Sequence, residues 1–116
     1  MNFHSEAIDR LFKSFLALET VEECYSYFED LCTIKEIEDM AQRLEAAILL
    51  KKGVSYQNIS REIGISTATI GRVSKCLNYG GGGYASAIAK LAAAGLCDIS
   101  ADSAEDSADK SDKNKV

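Results

Sequence analysis

Five times along this chain a serine or threonine stands just before a row of apolar residues spaced three and four apart: Ser5, Thr20, Thr33, Ser55 and Ser66. An oxygen at that place accepts from backbone N–H groups that the first turn of a helix leaves unpaired, and the spacing gathers apolar groups on one side of the helix. Thr20-Val21-Glu22-Glu23 and Thr33-Ile34-Lys35-Glu36 are capping boxes, in which the glutamate also reaches back to the threonine N–H. No proline interrupts any of these rows. The pattern predicts an all-α chain.

Ser5 caps a first helix to about Leu18, with Ile8, Leu11, Phe12, Phe15 and Leu16 as its stripe. Thr20 opens a second, with Cys24, Tyr25, Phe28 and Leu31 on one face. The third runs from Thr33 to about Lys52 and stops at Gly53. Its stripe of Ile34, Ile37, Ala41, Leu44 and Ile48 is widened by Met40, Ala47, Leu49 and Leu50. So broad an apolar surface needs cover on more than one side, and a small chain does not supply it all. A homodimer with a core-like interface is therefore expected. Ser55 caps a short fourth helix ending at Ile63, Ser66 caps a fifth to about Leu77, and a sixth spans about Tyr84 to Ala94. Between the last two, Gly80 to Gly83 reads as a flexible break. Residues 1–97 form one helical domain, and 98–116, almost without apolar content, read as a disordered acidic tail.

No run of about 18 apolar residues occurs, so no membrane span is expected. The charged N-terminal stretch lacks an apolar signal core, which points to the cytoplasm. Four cysteines (Cys24, Cys32, Cys76 and Cys97) include no C-x-x-C, and His4 is the only histidine. Buried, reduced thiols are expected, with no metal site. The same poverty of histidine, and the lack of a nucleophile–base constellation, gives an enzyme nothing to build on.

The formal net charge of −5 hides a segregation. Residues 1–50 carry four cations against eleven acids, a net of −7. Residues 51–97 carry Lys51, Lys52, Arg61, Arg72, Lys75 and Lys90 against Glu62 alone, a net of +5. Local charge decides whether a phosphate backbone is attracted.

The cationic stretch holds two short helices joined at Ile63-Gly64-Ile65, the pattern of a helix-turn-helix over about residues 55–78. Ile59 and Ile63 point at the second helix, Ile65 plugs the turn, and Ile70, Val73 and Leu77 form a buried row. Ser60 lies where the helices cross, so a small residue is required there. The opposite side of the second helix shows Thr67, Ala68, Gly71, Arg72 and Lys75. Hydroxyl and methyl groups meet base edges in the major groove, and arginine and lysine neutralise phosphates. The expected DNA-facing set is Gln57, Arg61, Ser66, Thr67, Ala68, Thr69, Gly71, Arg72 and Lys75.

The segment CTIKEIEDMAQRLEAAILLKKGVSYQNISREIGISTATIGRVSKCLNYGGGGY resembles the Trp repressor superfamily, and within it the Trp repressor-related branch of YerC/YecD type. Arg43, Gly53, the Ile63-Gly64 turn and Ala68-Thr69-Ile70 with Arg72 carry the likeness. The resemblance implies a six-helix, intertwined homodimer bound to a two-fold-related operator, with base contacts largely through water. It also implies a corepressor site in which an indole lies between Arg43 and Arg72, with Thr33 helping to hold the carboxylate. Two positions depart from that pattern: Val73 replaces a glycine that leaves room for the ring, and Cys76 replaces a serine that contacts the amine. Arg43 also reads as an ion partner of Asp39, Arg72 as a phosphate contact and Thr33 as a cap.

The expected function is a homodimeric, sequence-specific transcriptional regulator of double-stranded DNA, a repressor acting by occupancy. It requires no cofactor, with L-tryptophan or another small effector as the ligand to be tested. The rival is a dimeric protein-interaction module whose helix-turn-helix only completes the fold, favoured by the acidic front half.

Overall fold

A computed structural model describes residues 3–100. Those residues form six α-helices and no strand: α1 (Glu6–Leu16), α2 (Val21–Leu31), α3 (Ile34–Lys52), α4 (Tyr56–Ile63), α5 (Thr67–Tyr79) and α6 (Gly83–Ala93). Every expected cap is in place. The side chains of Ser5, Thr20, Thr33, Ser55 and Ser66 accept from the N–H groups of Ile8, Glu23, Glu36, Asn58 and Thr69 at 3.1–3.2 Å. In both capping boxes the glutamate answers. Glu23 accepts from Glu19 N–H, one residue before the cap, and Glu36 from Thr33 N–H, at 2.9 and 2.8 Å. The expected acidic tail lies outside the described residues except for Asp98, Ile99 and Ser100.

The described residues divide into two compact units, which part between Ile37 and Glu38. In the first, Phe15 is the centre of an aromatic cluster. Its ring lies 5.0 Å from Phe28 and 6.2 Å from Tyr27, and Tyr27 and Phe28 meet edge to face. The Ser14 and Tyr27 hydroxyls share a hydrogen bond of 2.7 Å. Yet no residue of α1 or α2 is buried. Leu16, Val21 and Tyr25 are 83, 66 and 74% exposed. The apolar stripes exist as expected, but within this unit they are not covered.

The second unit has a closed core of Ala46, Ala47, Ile48, Val54, Ile59, Ile70, Val73 and Ile88. Only the C-terminal half of α3 contributes, since Ile34 is 68% and Met40 40% exposed. Ala46, absent from the expected stripe, is fully buried, so the enclosed side of α3 includes a residue of little hydrophobic weight. Val54 N–H donates to Leu49 carbonyl across Gly53 at 3.0 Å, closing α3 by a six-to-one bond. The same device closes α6, where Leu96 N–H donates to Leu91 carbonyl at 2.8 Å. The chain then stays on the core, with Cys97 and Ile99 packed against it.

The cysteine expectation is half corrected. All four thiols are free, but none is buried: Cys24 and Cys76 are exposed, Cys32 and Cys97 partly so. Cys76 falls off the Ile70–Val73–Leu77 row, and Cys24 belongs to the uncovered face of α2.

The glycine run is specific rather than uniformly loose. A Cβ on Gly80 would collide with the Cys76 carbonyl oxygen, the acceptor of Gly80's own N–H, and Gly82 holds φ at 87°. Around Gly81 the space is open. Gly80→Ala should therefore destabilise the protein by about 2 kcal/mol or more, and Gly81→Ala by less than about 0.5 kcal/mol. Urea unfolding of the two variants checks this.

Candidate nucleic-acid interface

Between α4 and α5 the chain turns at Gly64, whose φ of 89° and ψ of 23° lie in the left-handed region that a Cβ disfavours. Gly64 N–H still closes α4 by donating to Ser60 carbonyl at 2.8 Å. Ser60 does more than leave room at the crossing. Its hydroxyl donates to the Ile65 carbonyl at 2.6 Å, tying α4 to the far side of the turn. Sequence reasoning calls for a small residue there but misses this bond, because the acceptor is a backbone atom brought round by Gly64. Ser60→Ala should lower stability by about 1 kcal/mol, the usual cost of a single neutral hydrogen bond, with the loss visible as faster amide exchange at Gly64 to Ser66.

Packing sets the orientation of α5. Ile70 is fully buried and Val73 3% exposed, with Leu77 half-buried in the same row. Ala68, Arg72 and Lys75 stand at four- and three-residue intervals on the other side, and all are exposed. Gln57 and Arg61 on α4, with Ser66 and Thr67, are also exposed, while Thr69 and Gly71 are half-buried. A Cβ on Gly71 would touch the Tyr56 ring at 4.0 Å, ordinary contact, so the helix pair itself does not demand glycine there.

Hydrogen bonding divides the hydroxyls. Ser66 accepts from Thr69 N–H at 3.1 Å and donates to Thr69 Oγ1 at 3.0 Å, so its hydroxyl is engaged within the cap. Thr69 keeps its own hydroxyl proton for another acceptor. Ser55, the one buried polar residue among those described, at 1% exposure, is satisfied by capping Asn58. The cationic groups Arg61, Arg72, Lys75 and Lys51 are exposed, which keeps their charges solvated.

Of the residues that the resemblance assigns to a corepressor, one is engaged locally and two are open. Thr33 is exposed, and both its hydroxyl and its N–H serve the α3 capping box. Arg43 and Arg72 are exposed on α3 and α5. Val73 is packed into the core beside Ile70.

An all-α fold with this helix-turn-helix defines a class of regulator-like helical proteins. The chain matches the family described as Trp repressor protein over residues 6–92, and it belongs to that family. It is 52% identical over 84 residues to the uncharacterized protein YerC of Bacillus subtilis (strain 168), covering 72% of this chain and 81% of YerC. Among solved structures it is similar to a TrpR-like protein from Eubacterium eligens, with a TM-score of 0.74 and 42% identity over 76% of this chain and 91% of that one. A candidate Trp repressor from Staphylococcus aureus superposes with a TM-score of 0.76 and 39% identity, over 85% and 93% of the two chains.

Proposed function

We propose that the protein is a cytoplasmic homodimer that binds double-stranded DNA in a sequence-specific way and represses transcription by occupying a two-fold-related operator. The observation that carries this reading is the exposed side of α5. Ala68, Arg72 and Lys75 stand opposite the buried row of Ile70 and Val73, so core packing itself turns small and cationic side chains outward.

Arg61, Arg72 and Lys75 hold phosphates, and the first-turn N–H groups of α4 and α5 add to that hold. Thr67, Ala68, Thr69 and Gly71 face base edges, with water completing some contacts. Ser66 keeps the first turn of α5 in shape. The uncovered apolar residues of α1 and α2 supply the dimer interface, and two α5 helices then stand about 34 Å apart, one turn of DNA.

Occupancy of DNA is proposed to need no small ligand. Val73 fills with aliphatic side chain the place where the family's tryptophan-binding members keep a glycine, and it is 3% exposed. Selection of genomic fragments by the purified protein, with and without L-tryptophan, tests both parts. Enrichment of one two-fold-related motif, unchanged by L-tryptophan, is expected. Enrichment of no motif would return the weight to the protein-interaction module, for which the exposed apolar residues of the acidic first unit would be the contact surface.

A further inference from the structure

Beyond α6 the chain does not leave the second unit at once. Leu96 N–H returns to Leu91 carbonyl, the Cys97 thiol approaches the Ile88 carbonyl at 3.9 Å, and Ile99 packs against the core. Between them Asp98 accepts from the Ser100 hydroxyl and N–H, at 2.7 and 2.9 Å. Those bonds hold its carboxyl below the usual range, and the charge of Lys52, at the end of α3, helps to do so. The chain past Ser100 therefore starts from a point fixed on the same unit as α4 and α5, within the electrostatic reach of Lys52.

Charge orders the C-terminal sequence. Residues 101–109 contain Asp102, Glu105, Asp106 and Asp109 and no cation, a net of −4. Residues 110–116 contain Lys110, Lys113 and Lys115 against Asp112, a net of +2. The acidic block is thus next to the anchor. Nine residues span at most about 30 Å, whereas α5 is about 20 Å long. A group tethered on that scale acts at an effective concentration on the order of millimolar. The family match ends at residue 92, before this segment begins.

We infer that the acidic block of residues 101–109 is a built-in competitor that occupies the cationic side of α4 and α5, at Arg61, Arg72 and Lys75, and must be displaced by DNA. The competition rests on the DNA-binding reading. The contact between tail and helices does not, and the two are measured separately. A bound tail already neutralises those cations, so exchanging it for DNA releases fewer ions than DNA binding to a bare surface.

The experiment compares three proteins: the full chain, a chain ending at Ser100, and a full-length variant carrying Asp102→Asn, Glu105→Gln, Asp106→Asn and Asp109→Asn. Affinity for a mixed-sequence duplex is measured across salt concentrations, and amide NMR shifts are recorded without DNA. At low salt the truncated and neutralised chains should both bind about tenfold more tightly than the full chain, with steeper salt slopes, and the advantage should fade as salt rises. Without DNA, both changes should shift the Arg61, Arg72 and Lys75 amides, and salt should erase the difference. Equal affinities for all three proteins overturn the inference. So does tightening by truncation alone, which would mean that bulk and not charge obstructs the site. If no form binds DNA while the salt-sensitive shifts are present, the DNA-binding reading fails and the tail contact stands. If those shifts are absent as well, both fail.

Discussion

Replacing Arg72 and Lys75 together by alanine should abolish DNA binding and leave the fold intact. Both side chains are exposed on the far side of α5 from Ile70 and Val73, so their loss opens no cavity. Circular dichroism and the unfolding midpoint should match those of the parent protein. Two lost phosphate contacts per protomer become four in a dimer, which lowers the log–log salt slope by about 3.6 and the affinity at about 0.1 M salt by roughly three orders of magnitude. Arg72→Lys separates charge from shape. It should keep the salt slope but lose discrimination between sequences, because an ammonium cannot reproduce the planar fork of a guanidinium. Unchanged affinity in the double variant would remove the α5 surface from the DNA account.

A comparable effect is expected in the first unit, at Leu16. This residue is 83% exposed in a single chain although it belongs to the apolar stripe of α1. If a second copy covers that stripe, Leu16→Glu places a carboxylate in an apolar contact at a cost of about 3 kcal/mol or more, raising the dimer dissociation constant by at least about a hundredfold. Sedimentation should show a dimer for the parent protein and a monomer for the variant at micromolar concentration. The parent's unfolding midpoint should rise with protein concentration, as for any assembly whose partner binds only the folded form. DNA affinity should fall as dimerisation is lost, since one recognition helix reads half an operator. A variant that remains dimeric would show that the α1 stripe is not the subunit contact.

Leu16 and Arg72 also mark how far the sequence could be read. Helix starts were legible because each rests on a local event, a serine or threonine oxygen meeting an N–H a few residues on. All five appear, from Ser5 to Ser66. Helix ends were less so. Past Leu77, Asn78 and Tyr79 tolerate helix, and the chain stops only where Gly80 can lie against the Cys76 carbonyl. The sixth helix opens one residue early because Gly82, in the left-handed region, serves as its cap without a side chain.

Periodicity identified which residues are apolar on one side and not what covers that side. Hence Ile34, Tyr25 and the cysteines were open where a buried face was expected, while Ala46 was buried without announcing it. At the candidate interface, charge and the buried row were both in the sequence. The Ser60 bond to Ile65 and the bond from the Ser66 hydroxyl to Thr69 were not, since each depends on how the turn folds back.

The uneven distribution of buried residues has a consequence for how the protein is made. The second unit closes its core only when Ile88 is available, so all six helices through most of α6 must emerge from the ribosome before that unit is complete. By then α1 and α2, synthesised first, have long been outside with Leu16, Val21 and Tyr25 uncovered. In a dimer that covers α1 and α2, these two helices are the ones that wait longest for shelter. Neighbouring ribosomes on one messenger, each presenting the same helices, would then be the nearest source of a matching sister chain.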